Sequence, residues 1–123
     1  MFIALSPSHP DPMYKQVTDQ IKNAIASGDL KPDEKLPSVR ELSEALKISA
    51  ITIKRAYMDL ESEGYVFTRA GLGSFVTDID RERLRGEKLA EFRTEMKRMV
   101  GTGAKFGITA ADLVQLIREI EED

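Results

Sequence analysis

The sequence predicts a mainly α-helical chain with one small β-hairpin. Three observations carry that expectation. Two short helix patterns stand either side of a tight turn at Lys47-Ile48-Ser49. A strand pair with glycines at its bend follows directly, over 65–77. Two further amphipathic helix patterns fill 78–123. Helix, turn, helix and hairpin in that order is the arrangement of a winged helix-turn-helix, a shape that reads double-stranded DNA. The expected organisation is therefore a winged helix-turn-helix domain over 1–77 and a C-terminal two-helix dimerisation tail over 78–123.

Each element has a local reason. Residues 6–12, Ser-Pro-Ser-His-Pro-Asp-Pro, form an irregular arm, because three prolines forbid a regular helix. Asp11 is the expected N-cap of a first helix with Pro12 at its first position. Met13, Tyr14, Val17, Ile21, Ala24 and Ile25 recur at helical spacing, and Gly28 supplies a left-handed stop. A loop with two prolines spans 29–37. Ser38 opens a second helix with Glu41 three residues on, a capping box, and Val39, Leu42, Ala45 and Leu46 are its expected buried stripe. Ser49 caps a third helix over 50–63, with Ile53, Ala56, Tyr57 and Leu60 inward and Gly64 as its stop.

The expected strands are 65–68 and 74–77, rich in aromatic and β-branched residues, joined by Arg69-Ala70-Gly71-Leu72-Gly73. A long charged helix over 80–100 carries Leu84, Leu89, Phe92, Met96, Met99 and Val100 as one apolar stripe. The segment 101–107 is expected to break it as an interhelical loop. Thr109, with Asp112 at N3, caps a last helix striped by Leu113, Leu116, Ile117 and Ile120. The tail stripes fit either a core within one chain or a dimer interface. Two helices alone have too little chain to bury both stripes, which favours a homodimer. The interface residues are then Leu89, Phe92, Met96, Met99, Leu113, Leu116, Ile117 and Ile120.

Composition narrows the function classes. The chain has 123 residues, 32% of them charged, and no cysteine. Disulfides, thiol chemistry and cysteine-based zinc sites are excluded, and a reducing cytoplasm is the expected location. No apolar run approaches the ~18 residues of a membrane span, and the first five residues are too short for a signal peptide. One histidine, no paired carboxylates in an apolar setting and no phosphate-loop signature argue against an enzyme, a metal site or a cofactor. The net charge of −3 is unfavourable for DNA binding. Residues 1–77 contribute −1 and residues 78–123 contribute −2, so a DNA-facing surface has to be a local patch.

Candidate contacts follow from helix geometry. The start of the second helix offers free N–H groups, the Ser38 hydroxyl and the Arg40 guanidinium to a phosphate. Arg40 can equally pair with Glu44 one helical turn on. In the third helix, Ile53, Ala56 and Tyr57 occupy the inner face, so Thr52, Lys54 and Arg55 point elsewhere, near the end where a recognition helix touches base edges. Arg69, Gly71 and Gly73 at the hairpin tip suit a phosphate backbone or a minor groove.

Three runs of the sequence carry a family resemblance. They are Leu36-Pro37-Ser38-Val39-Arg40-Glu41-Leu42, then Ile48 to Gly64 with its Arg55-Ala56-Tyr57 triplet, then Gly71-Leu72-Gly73-Ser74-Phe75-Val76. Together they resemble the GntR family of bacterial transcription regulators, and the short tail resembles its YtrA-like branch. The resemblance implies a dimeric repressor of transcription, built without a large effector domain. It implies double-stranded operator DNA as partner, with Ser38, Arg40, Thr52, Lys54 and the wing glycines as contacts. The chain departs from the family at Ala50 and Ile51, where many members carry a polar or arginine residue. A base contact is then absent there, or becomes an apolar contact to a thymine methyl. The rival reading is a winged-helix protein-interaction module that binds no DNA.

Overall fold

The computed structural model describes residues 3–123 and divides after Arg81 into two compact units. The first contains α1 (Met13–Ser27), α2 (Val39–Leu46), α3 (Ala50–Ser62), β1 (Val66–Arg69) and β2 (Gly73–Val76). The second contains α4 (Arg81–Ala104), whose first residue belongs to the preceding unit, and α5 (Ala110–Glu122). Mainly α with one hairpin is thus the observed fold.

The core of the first unit is built where α1 meets α3. Val17, Ile21, Ile53, Ala56, Leu60 and Val76 are fully buried, and Ile25, Leu30, Leu36, Leu42, Tyr57 and Val66 nearly so. The α3 set recurs at i, i+3, i+4 and i+7, one stripe of an amphipathic helix. Ala45 was expected in the α2 stripe, but it is exposed. An eight-residue helix turns only a narrow face inward, and Leu42 with half-buried Val39 and Leu46 fills it.

Two hydrogen bonds hold the ends of α2, one from α3 to the residue before its cap and one from α2 to the turn that follows it. The Tyr57 hydroxyl donates to the Pro37 carbonyl at 2.6 Å, one residue before the α2 cap. The Ser43 hydroxyl donates to the Ile48 carbonyl across the turn. Burial pushes the Tyr57 phenol far above its ordinary value, so it stays a donor.

Helix ends follow cap chemistry, with one correction. Ser38, Ser49 and Thr109 each accept from the backbone N–H three residues on, and Glu41 and Asp112 complete capping boxes. Asp11 does not cap α1. Pro12 holds the cap position without a side-chain bond, and the Asp11 carboxylate takes Lys15 instead at 3.4 Å. The arm is not loose. Gln20 clamps both backbone groups of Ala4, while buried Gln16 bonds the Ser6 N–H and the carbonyls of Ser6 and Asp11. Such bonds answer the requirement that buried polar groups find partners.

Both strands are shifted by one residue from expectation, to 66–69 and 73–76. Val66 faces Val76 and Arg69 faces Gly73 in an antiparallel register. Tyr65 instead closes the α3 stop, its N–H bonding the Leu60 carbonyl at 2.9 Å beside Gly64 at φ +83°. The stretch before α2 is also more ordered than a plain loop. Asp33 and Leu36 N–H groups donate to the Val76 and Ser74 carbonyls, and Lys35 bridges to Phe75, giving β2 a partial third edge.

The expected break at 101–107 falls later. Gly101 and Gly103 lie inside α4, and only Gly107 has a positive φ, +74°. There the Ile108 N–H reaches the Gly103 carbonyl and the Gly107 N–H the Ala104 carbonyl, a Schellman stop. Gly103 is buried because Ile108 packs on it: a Cβ there would lie 3.4 Å from the Ile108 Cβ.

The capping boxes make a pH prediction. Backbone and hydroxyl bonds at Ser38 hold the Glu41 carboxyl below its ordinary 4.5, and those at Thr109 hold Asp112 below 3.8. A carboxyl with a lowered folded-state pKa adds stability above its unfolded pKa, and that stability is lost as pH falls through the folded value. Chemical unfolding from pH 6 down to pH 2 should therefore show a shallower loss of stability in Glu41→Gln than in the natural chain below about pH 4.5, because glutamine does not titrate.

Candidate nucleic-acid interface

The candidate surface grows from the outer face of α3. With Ile53, Ala56, Tyr57 and Leu60 turned inward, Ile51, Lys54, Arg55 and Met58 are turned out, and all four are exposed. Lys54 is, among the described residues, in no ion pair. Thr52 is half-buried at the flank, its hydroxyl 2.9 Å from that of the cap Ser49. Arg55 is exposed at the edge but engaged: its guanidinium lies 3.7 Å from the centroid of the Tyr14 ring on α1. That stack ties α3 to the first turn of α1 and holds Arg55 in one orientation.

At the start of α2, Ser38 is exposed and its hydroxyl oxygen accepts the Glu41 N–H at 3.0 Å. Arg40 is 88% exposed and its Nε donates to Glu44 at 3.2 Å. A pair this open is worth about 0.5 kcal/mol or less, so the guanidinium is easily redirected. The Tyr57–Pro37 bond fixes this helix start against α3, one turn beyond Lys54.

On the wing, the N–H of Leu72 closes a turn on the Arg69 carbonyl at 2.9 Å, with Gly71 at φ +76°. Gly73 has φ +119°, and a Cβ there would meet the Lys35 Cε at 2.9 Å. Phe67 and Phe75 stack at 5.7 Å, with the Arg69 guanidinium 5.3 Å from the Phe67 ring centroid. The hairpin is thus stiffened on its aromatic face, while Arg69, Gly71 and Leu72 remain exposed at its tip.

Two cations were not picked out from sequence. Lys35 borders Gly73 and bridges to Phe75. Lys47, in the turn between α2 and α3, has a left-handed φ of +57°, which is uncommon outside glycine and asparagine. The available signal was charge spacing. From Ala45 to Met58 there are three Lys or Arg and no Asp or Glu, within a chain of net charge −3. The acids lie outside the turn and the first nine residues of α3, so the overall balance conceals a local cationic field.

The second unit has a different surface. Leu89, Phe92, Met96, Met99, Leu116, Ile117 and Ile120 are each at least 42% exposed, while Leu113 is half-buried. Leu89, Phe92, Met96 and Val100, with Arg93 and Lys97, line an apolar groove along α4. No helix among the described residues is long and apolar enough to cross a membrane, and no group of three potential metal ligands occurs among them.

The model for bacterial regulatory proteins of the gntR family matches residues 13–76, from α1 to the end of the wing. The chain belongs to the GntR family. It is a DNA-binding transcription regulator. The similarity extends beyond the head: the HTH-type transcriptional repressor YtrA of Bacillus subtilis is 31% identical over 121 residues, 98% of this chain and 93% of that one. The crystal structure of a transcriptional antiterminator from Listeria monocytogenes EGD-e superposes with a TM-score of 0.77 at 26% identity, over 98% of this chain and 90% of that one. AraR(DBD), solved in complex with operator ORX1, is 34% identical with a TM-score of 0.55, over 60% of this chain and 92% of that one.

Proposed function

We propose that this GntR-family regulator is a cytoplasmic, homodimeric repressor that reads a pseudo-palindromic operator. The observation that carries the reading is the outer face of α3, cationic and free of acids from Ala45 to Met58. The N-terminal half of α3 enters a major groove, with Thr52 and Lys54 against base edges or adjacent phosphates. Ser38, the α2 N-terminus and Arg40 hold the flanking phosphate, with Arg40 leaving Glu44 to do so. Lys47 adds charge at the turn. Arg69, Gly71 and Gly73 bring the wing tip to the sugar-phosphate backbone, where a small residue allows close approach. Arg55 serves this surface through the Tyr14 stack, as a positioning residue that sets the α3 orientation.

In the same reading, residues 1–77 are the DNA-binding domain and residues 78–123 the dimerisation tail. Large apolar side chains of the α4 and α5 stripes stand open to water, the signature of an interaction surface, and a second copy covers them. A two-fold dimer places two α3 helices in successive major grooves, about 34 Å apart or a multiple of it. Repression then follows from occupancy of the operator, as the name of the YtrA relative suggests.

Binding to duplex selected from a randomised pool, measured at several salt concentrations, tests the DNA surface. Lys54→Ala should lower the salt slope by about 1 if Lys54 meets phosphate, or cost about 1–3 kcal/mol in base discrimination if it meets a base. Arg55→Ala should leave the salt slope unchanged and lower the thermal midpoint, consistent with a lost cation–π contact of about 0.5–2 kcal/mol. Unchanged affinity and slope in Lys54→Ala would contradict the reading. The interface is tested separately: Met96→Glu buries a charge in the proposed dimer seam and should shift sedimentation from dimer to monomer. A natural chain that sediments as a monomer at micromolar concentration contradicts the dimer.

A further inference from the structure

Among the described residues, Ile51 is the most exposed of the large apolar side chains, at 81%. A single isoleucine in water is unremarkable on most surfaces. This one stands in the first turn of α3, two residues after the Ser49 cap and one turn before Lys54. At 100° per residue it lies nearly opposite Ile53, so no rotation of the side chain brings it into the core. Its neighbours in that turn are Ala50, whose side chain is a single methyl, and Thr52, whose hydroxyl already faces Ser49. Around it are Lys47 and Lys54, and no acid until Asp59.

The leading turn therefore presents a branched hydrocarbon, with Lys47 before it and Lys54 one turn after it. A duplex meets those two features together in one place. Phosphates flank the major groove, and within the groove one base carries a hydrocarbon on its exposed edge: thymine, through its C5 methyl. We propose that Ile51 is a specificity-determining residue that packs on a thymine C5 methyl in each half-site. The assignment rests on the DNA-binding reading of α3 given above.

Deoxyuridine tests the contact cleanly, because it keeps every hydrogen-bonding edge of thymine and removes the methyl alone. A duplex enriched from a randomised pool by the full-length chain is resynthesised with deoxyuridine at one thymine at a time. The natural chain should lose about fourfold in affinity at one thymine position per half-site, the size expected for exposing one buried methyl group. In Ile51→Ala the thymine-to-deoxyuridine ratio at that position should fall to about one, while the salt slope stays unchanged. Ile51→Val, which keeps most of the hydrocarbon, should retain part of the ratio. The proposal is overturned if no thymine position is sensitive to the methyl, or if Ile51→Ala keeps the full sensitivity, because another residue then reads it. If no duplex is enriched at all, the DNA-binding reading of α3 fails first and this proposal falls with it.

Discussion

An α-helix cannot bury one face without committing the other to solvent, and α3 is where that constraint acts on this chain. Ile53, Ala56, Tyr57 and Leu60 are consumed by the packing against Val17, Ile21 and Ile25 of α1. Ile51, Lys54, Arg55 and Met58 are left outside. A slip of α3 by one residue would turn the stripe by about 100° and put Lys54 in the core, where an unpaired ammonium costs several kcal/mol. The register of the core and the composition of the outer face are therefore one decision. The Tyr57–Pro37 bond extends it to α2, because it sets where Ser38 and Arg40 stand relative to α3.

Electrostatics are arranged around that face rather than across the molecule. The chain as a whole is acidic, at −3, which on its own discourages approach to a polyanion. Short-range order reverses this, since exposed charges are screened beyond roughly 10 Å at ordinary ionic strength. The residues from Ala45 to Met58 supply cations only; of the acids beside them, Glu41 is held in its capping box and Glu44 pairs with Arg40 in the absence of DNA. Rigidity comes from contacts that cost the surface little charge, such as Arg55 on Tyr14 and the Phe67–Phe75 stack.

Features with a strict local rule could be read from sequence. Ser38, Ser49 and Thr109 cap because a hydroxyl before a helix satisfies a free N–H, and the α3 stripe follows from period alone. What could not be read depended on tertiary partners. Asp11 satisfies the rule for a cap, but Pro12 occupies the cap position and Lys15 takes its carboxylate. Gly101 and Gly103 look like breakers until Ile108 is seen to need the space at Gly103. The pairing of 33–36 with β2 carries no alternating pattern, because backbone atoms make it. At the candidate site, the exposure of Arg40 and Lys54 was legible from helix geometry, whereas the Arg55–Tyr14 stack joins residues forty-one positions apart with no signal in either neighbourhood.

The outward face of α3 is best examined residue by residue in solution. Backbone amide resonances of the full chain would be followed while a selected operator duplex is titrated in at moderate salt. The account predicts large shifts at Ser38–Arg40, Lys47–Arg55 and Arg69–Gly73, with Val17 and Ile25 on the buried side of α1 nearly still. Shifts confined to α4 and α5, with the first two turns of α3 unmoved, would contradict it.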